Sequence, residues 1–310
     1  MELKSFKIFR GLSEPALAKI SKIVEEKRFS KGDIIFEEDT DSDALYLIEK
    51  GKIEIFKRLS GDGTKTLAIL TEGSQFGEMS LFEDKTRMAA ARAIIDTVLF
   101  SIKKKEFLSV ASSDADTNIK ILTAIMYATL NRLSTANTQL ATLYDIGKII
   151  VASKNLGQMV TSVFSNIQNI FKKYDRAMIA VYNEFSDEFD VHASAGIDAA
   201  VKTVSGLDPL VKTISQKREI VIYDIDEEFP ELSGHFALGK SAVISSLRFE
   251  DKFLGFISFS ANGENTYTLN DMILLSSISS LVSVSINNIS FIAEEEARRH
   301  LKEMRHTQGF

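Results

Sequence analysis

The chain has 310 residues, 45% of them hydrophobic and 26% charged, which suits two globular domains rather than one. A formal net charge of −6 at pH 7 argues against general affinity for nucleic acid or anionic lipid. Cysteine is absent, which excludes disulfides, thiolate metal sites and thiol nucleophiles; a cytoplasmic location is expected, and Met1-Glu2-Leu3-Lys4 lacks the apolar core of a secretory signal.

Taken in order, Ser13 is placed to cap a short helix with Pro15 in its first turn, and Leu17, Ile20 and Val24 form its buried side. After Gly32 the pattern changes to short β-type runs: Ile34–Phe36, Ala44–Ile48, Ile53 with Ile55, Thr66–Leu70 and Val98–Ile102. Gly61-Asp62-Gly63 predicts a hairpin turn, because glycine takes positive φ without strain. Many short strands without long helices between them indicate a β-roll or jelly-roll with flanking helices.

Within this run lies Phe76-Gly77-Glu78-Met79-Ser80-Leu81-Phe82, followed by Arg87-Met88-Ala89. A short helical turn is expected between Glu78 and Arg87, with Leu81 and Phe82 as its apolar side. Glycine lets backbone N–H groups approach a phosphate closely. An arginine nine residues after the glutamate supplies a bidentate cation, and an ionised glutamate accepts hydrogen bonds from sugar hydroxyls. Glu78 and Arg87 alone are equally an ordinary ion pair over a loop.

The whole stretch resembles the phosphate-binding cassette of cyclic nucleotide-binding domains, the family of catabolite activators and kinase regulatory subunits. The resemblance implies a jelly-roll and a ligand set of Gly77, Glu78, Met79, Ser80, Arg87, Met88 and Ala89. By this resemblance Glu78 would take the ribose 2′-OH and Arg87 the cyclic phosphate, and the N–H groups of Gly77, Ser80 and Met88 would complete the cradle. Gly32 and Gly51 match the family's turn glycines, whereas Thr86 and Glu38 replace its usual proline and glycine. Ala90 stands where a hydroxyl favours guanine in cGMP-selective members, so cAMP is favoured over cGMP.

From Asp116 one long helix is expected. Ile119, Leu122, Met126, Thr129, Leu133, Ala136, Leu140, Leu143, Gly147 and Ile150 recur in steps of three and four, a heptad seam suited to a parallel coiled coil joining two chains. Tyr127 and Arg132 fall off that seam. Thr129, Ala136 and Gly147 weaken it, as a two-state signalling helix requires.

The second half reads as an α+β domain: a helix over Leu156–Phe171, strands over Ala177–Tyr182 and Phe189–Ala195, a helix over Leu210–Gln216, a strand over Glu219–Tyr223, and a hairpin of Ala242–Phe249 with Leu254–Ala261. Thr268 and Asp271 form a capping box for the last helix. This half resembles a GAF domain through Arg176–Val181, Ala195-Gly196, Val221–Asp224, Ser241–Ile244 and Leu254–Ile257. That family's antiparallel sheet holds a small-ligand pocket in some members and is a dimerising spacer in others. His192 is expected as a packed or half-exposed imidazole, and His235 as a solvated loop histidine.

The uncharged stretch Met272–Ala293 is long enough to span a bilayer, but it holds seven serines and two asparagines. Ser276, Ser280, Ser283, Asn287 and Ser290 fall on one stripe and Leu274, Ile278, Leu281, Ile289 and Ile292 on another, so a soluble amphipathic helix is expected. The sequence carries no Gly-Lys-Ser/Thr phosphate loop, no Gly-x-Ser-x-Gly elbow, no histidine pair at metal-ligand spacing and no basic recognition helix. The expected organisation is a cyclic nucleotide-binding domain (1–115), a connecting helix (116–150), a GAF-like domain (151–290) and a helical extension (291–310). The expected protein is a non-enzymatic homodimeric sensor without cofactor or metal, facing a downstream output protein. The alternatives are a structural adaptor, or the regulatory fragment of a cyclase, kinase or phosphodiesterase.

Overall fold

A computed structural model describes residues 3–41, 43–59, 63–78, 86–112 and 114–307. The chain forms two compact units, 1–137 and 138–310. In the first, two 3-10 turns, Leu3–Ser5 and Lys7–Phe9, precede helix α1 (Glu14–Ser21). The Ser13 hydroxyl accepts from the Ala16 N–H at 3.4 Å, and Pro15 sits where no N–H is needed. Ala16, Leu17 and Ile20 are the buried face. Val24, expected on that face, instead opens strand β1 (Val24–Phe29), where it pairs with Ile102.

The roll continues through β2 (Ile34–Phe36), β3 (Ala44–Lys50), β4 (Lys52–Arg58), β5 (Thr64–Thr71), β6 (Gln75–Phe76), β7 (Ala90–Ala93) and β8 (Thr97–Lys103). These form two antiparallel four-stranded sheets, β1-β8-β3-β6 and β2-β7-β4-β5. Strand β3 shows how the alternation of side chains builds the unit. Ala44, Tyr46 and Ile48 point between the sheets, into a core with Ile53, Phe76, Ala91, Ala93 and Leu99. Leu45 and Leu47 point the other way, against Phe9, Leu17, Phe107, Ile121 and Ile125 of the flanking helices. Arg58 opposite Thr64 makes β4 and β5 a hairpin, and the Leu59 N–H donates to the Gly63 carbonyl at 2.9 Å. Gly61 and Asp62 of the expected turn lie outside the described residues.

Helix α2 (Lys104–Ala111) leads into α3 (Ala115–Ala152). Ile121 and Ile125 bury one face of α3 in the first unit's core. The expected heptad row lies elsewhere on the helix: Ile119, Leu122, Met126, Leu133 and Leu140 are exposed.

In the second unit Ile146 of α3 joins the core, with Leu143 and Ile150 of the expected row packed against it. Helix α4 (Leu156–Ile170), capped by the Asn155 side chain, buries Met159, Val160, Val163, Phe164 and Ile167. Strands β9 (Arg176–Asn183), β10 (Glu188–Ala195), β11 (Thr203–Ser205), β12 (Glu219–Ile222), β13 (Ser241–Phe249) and β14 (Lys252–Ala261) form one antiparallel sheet in the order β11-β10-β9-β14-β13-β12. Ile179, Val181, Ile257 and Phe259 cover one face with α4 and α7 (Leu269–Thr307). Met178, Ala180, Ile244 and Phe256 cover the other with α5 (Pro209–Gln216) and α6 (Ile225–Glu228). Gly196 has φ +68°, and a Cβ there would lie 1.8 Å from the Asp175 carbonyl oxygen.

The capping box holds: the Thr268 N–H donates to Asp271 Oδ2 at 2.7 Å, and the Asp271 N–H to Thr268 Oγ1 at 3.3 Å. The buried row of α7 departs from the expected stripes. It runs Leu275, Ile278, Val282 and Ile286 with Ser279 and Ser283, whereas Leu281 and Ile292 are exposed. Ser283 tolerates burial because its hydroxyl donates to the Ser279 carbonyl one turn back, at 2.7 Å. Residues Leu269–Ile292 are long and apolar enough to cross a membrane, a test that core helices of soluble proteins also pass.

Candidate functional site

The site is built around Arg87. Two backbone hydrogen bonds fix this residue against the loop after β2: the Arg87 N–H donates to the Thr40 carbonyl and the Asp39 N–H to the Arg87 carbonyl, both at 2.8 Å. Its side chain then turns inward and is 5% exposed. Nη2 donates to the Ala44 carbonyl at 2.9 Å and Nη1 to the Gly77 carbonyl at 3.4 Å. The guanidinium lies 4.1 Å from the Phe36 ring centroid and 5.7 Å from that of Tyr46. Those rings cluster with Phe76, with Tyr46 and Phe76 stacked at 5.2 Å. Among the described residues no carboxylate is within ion-pair distance of Arg87, and its buried Nε has no partner. Burial pushes the guanidinium pKa below its usual range, against the opposing fields of Tyr46, Asp43 and Glu78. Among the described residues this buried cation is thus seated on carbonyls and rings, with Nε as a donor to spare.

Gly77 has φ +77°, and a Cβ there would fall 2.6 Å from Arg87 Nη1 and 3.0 Å from the Ala44 carbonyl oxygen. The glycine therefore gives the guanidinium its space as well as making the turn.

Glu78 follows directly and is also buried, at 4% exposure. It does not pair with Arg87. Its Oε1 accepts from Arg132 Nη1 at 2.6 Å, while Arg132 Nη2 donates to the Gln75 carbonyl. Arg132 stands on α3 seven residues beyond Ile125 and eleven beyond Ile121, two turns and three turns along the same buried stripe. It falls off the expected heptad row and has no expected role. Its spacing from Ile121 and Ile125 was the available signal.

The structure thus brings Gly77, Glu78 and Arg87 together on the roll. Met88 is exposed and Ala89 half-buried, both in the bend before β7, where Ala90 is buried. Met79, Ser80, Leu81 and Phe82 lie outside the described residues.

In the second unit His192 sits half-buried at the bulge in β10, as expected of a packed imidazole. Burial pushes its pKa down, with the Asp190 charge opposing. His235 is not a solvated loop residue. Its side chain is 8% exposed, and Nε2 lies 3.0 and 3.1 Å from the two oxygens of Asp208. Its Nδ1 accepts from the Ala237 N–H at 3.2 Å, which makes Nε2 the donor to Asp208. Asp208 also caps α5 through the Leu210 N–H at 2.8 Å. The pair ties the loop after α6 to α5, so the histidine is buried by structural demand. Among the described residues no group of three or more His, Asp or Glu side chains is gathered as for a metal ion.

Residues 26–114 match the model of the cyclic nucleotide-binding domain family. The first unit therefore carries a cyclic nucleotide-binding regulatory domain, resembling those of catabolite activators and kinase regulatory subunits.

Among particular relatives, the cyclic AMP receptor protein of Thermus thermophilus is 32% identical over 107 residues, covering 34% of this chain and 50% of the relative. The cAMP-dependent protein kinase regulatory subunit of Candida albicans is 29% identical over 105 residues, covering 34% and 22%. The crystal structure of the Thermus thermophilus catabolite activator protein aligns at 26% identity with a TM-score of 0.40, covering 46% of this chain and 67% of that one. The chain thus spans half the length of the first of these relatives and about a fifth of the second.

Proposed function

We propose that the chain is a signalling sensor whose first unit binds a cyclic nucleotide. The observation that carries this reading is Arg87: a buried guanidinium on carbonyl seats, with Nε unpartnered among the described residues. A cyclic phosphate completes it with a charge-assisted hydrogen bond. In this reading the N–H groups of Gly77, Ser80 and Met88 donate to the phosphate, and Met79 and Ala89 belong to the same ligand set. Glu78, held from one side by Arg132, keeps its second oxygen for a ribose hydroxyl. Ala90 at the base side favours cAMP over cGMP.

Arg132 gives the ligand a handle on α3. Whatever draws on Glu78 acts on a helix whose next turns belong to the second unit. The exposed row of Ile119, Leu122, Met126, Leu133 and Leu140 supports a second copy of this chain as the partner, through a coiled-coil-like seam. The second unit, a sheet with helices on both faces, supports a GAF-type domain that receives the signal, binds a second small ligand or dimerises, and passes the state to an output protein. In this reading the protein is cytoplasmic, has no enzymatic activity of its own and uses no cofactor or metal.

Calorimetric titration with cAMP and then cGMP tests the reading, with Arg87→Ala as control. Binding in the micromolar range or tighter, about −8 kcal/mol or more favourable, lost in the control, is expected. No heat and no thermal shift with either nucleotide refutes it. Light scattering at tens of micromolar tests the dimer: a monomeric mass removes the seam as an interface.

A further inference from the structure

The first unit contains a cleft of about 440 Å³ between the turn Lys7–Phe9 and helix α3, away from Arg87 but touching the strand that precedes Gly77. Three cations line it, Lys7, Arg10 and Lys120, and among the described residues no carboxylate does, in a chain whose net charge is −6. Lys120 is held by Asp116 at 2.6 Å; Lys7 and Arg10 have no anionic partner among the described residues. Ile119 and Tyr127 supply an apolar and aromatic wall, and Thr123, Asn131 and Gln75 supply hydrogen-bonding groups. This is the composition of a small-ligand site: one apolar body, a few polar anchors and an excess of one charge.

We propose that this cleft binds a small organic anion with an aromatic or acyl body, and that its occupancy is felt at the nucleotide site. Lys120, Thr123, Tyr127 and Asn131 recur at helical spacing on one side of α3. At about 100° per residue, the row Leu122, Met126, Thr129 and Leu133 falls well away from these residues, so a coiled coil along that part of α3 leaves this wall free, while Ile119 belongs to both surfaces. The route to the nucleotide site is short. Gln75 lines the cleft, and its carbonyl accepts from Arg132, the residue that also holds Glu78. Asn131, on the cleft wall, is the neighbour of Arg132. An anion that draws Lys7 and Arg10 towards Asn131 and Gln75 therefore bears on the grip of Arg132 on Glu78. This coupling rests on the nucleotide reading; the anion site itself does not.

The test uses the full chain without nucleotide and 8-anilinonaphthalene-1-sulfonate, an aryl sulfonate, as the probe. The neutral dye N-phenyl-1-naphthylamine reports binding to exposed apolar surface such as the α3 row. Lys7→Ala/Arg10→Ala removes two exposed cations, and Thr123→Trp fills the cleft without changing charge; circular dichroism verifies that both variants remain folded. The sulfonate is expected to bind about tenfold more weakly to the double variant and to lose saturable binding in Thr123→Trp, while the neutral dye binds the double variant as it binds the wild type. Equal sulfonate affinity in wild type and double variant overturns the site. Coupling is then read by reciprocity: saturating sulfonate should change the Kd for cAMP about fivefold or more in the wild type and leave it unchanged in Thr123→Trp. No change in the wild type overturns the link. A chain that binds the sulfonate and no cyclic nucleotide defeats the functional reading and leaves the anion site standing.

Discussion

The contact between α3 and the roll is the place to press first, through a double-mutant cycle of Arg132→Met and Glu78→Gln. The Glu78 side chain is 5% exposed and that of Arg132 40%, joined at 2.6 Å. Fully buried pairs cost about 3–5 kcal/mol to break by removing one partner, and fully exposed pairs contribute about 0–1 kcal/mol. Hydrogen bonds to charged groups in partly buried settings contribute about 1.5–3 kcal/mol. Solvent screening on the arginine side places this pair near the lower end, about 1.5 kcal/mol of coupling. The single variants are unequal. Arg132→Met leaves a carboxylate buried without its partner and should destabilise the first unit by about 2 kcal/mol. Glu78→Gln leaves a half-exposed cation that water can reach and should cost about 1 kcal/mol. Urea unfolding followed by circular dichroism, over the transition that the single variants move, gives the four free energies of the cycle. A coupling below about 0.3 kcal/mol is ordinary additivity, and it would refute the claim that α3 grips the roll through this carboxylate.

Three further outcomes are expected. Gly77→Ala places a Cβ 2.6 Å from Arg87 Nη1 at φ +77°, and should weaken cAMP binding at least tenfold by displacing the guanidinium; wild-type affinity in titration contradicts the seat described for Arg87. Burial lowers the folded-state pKa of His192, so its neutral form is preferred in the fold. The unfolded chain then binds more protons, and stability is retained above an unfolded pKa of about 6.5 and lost as pH falls through it. His192→Gln should flatten the fall in thermal midpoint of the second unit over that window, and an unchanged slope speaks against a desolvated imidazole. Asp208 is a cap and the partner of His235, with a folded pKa below the usual carboxylate range; desolvation opposes this, while the hydrogen bonds from His235 and from the Leu210 and Val211 N–H groups outweigh it. Its contribution is present above an unfolded pKa of about 3.9 and lost as pH falls through the lower folded value. Asp208→Ala should therefore cost about 1 kcal/mol at neutral pH, with the difference from wild type narrowing in acid unfolding; a constant difference across that range argues against an ionised cap.

The elements that the sequence makes plain are those where one local rule dominates. Ser13 with Pro15, and Thr268 with Asp271, announce their helices because a cap is a local hydrogen bond. The hairpin of β13 and β14 is legible because both strands are apolar and bounded by turn residues. Strands β1 and β7 escape because pairing alone makes them strands: four of the six residues of β1 are charged, and β7 is Ala90-Ala91-Arg92-Ala93. The stripes of α7 escape because hydroxyls that bond back to the preceding turn, as in Ser283, let serine take a core position. At the site, Gly77, Glu78 and Arg87 are legible by their spacing, whereas Arg132 comes from 54 residues beyond its partner Glu78. Charge and burial at such a distance are matters of tertiary packing, and no local pattern contains them. The same holds for His235 and Asp208, separated by 27 residues.

The seat of Arg87 also shapes how substitution experiments on this domain will read. The carbonyls that hold the guanidinium belong to Ala44 and Gly77, residues whose side chains contribute nothing to the grip. An alanine scan finds nothing to remove at either position, and one that skips glycines reports the arginine as if it stood unsupported. The support appears only when something is added: bulk at residue 77, or an ester in place of the amide, which weakens the carbonyl as an acceptor. A domain built this way conceals half of the arginine's seat from the commonest form of mutagenesis, and it can drift widely in side-chain sequence around the arginine while the clasp itself stays the same.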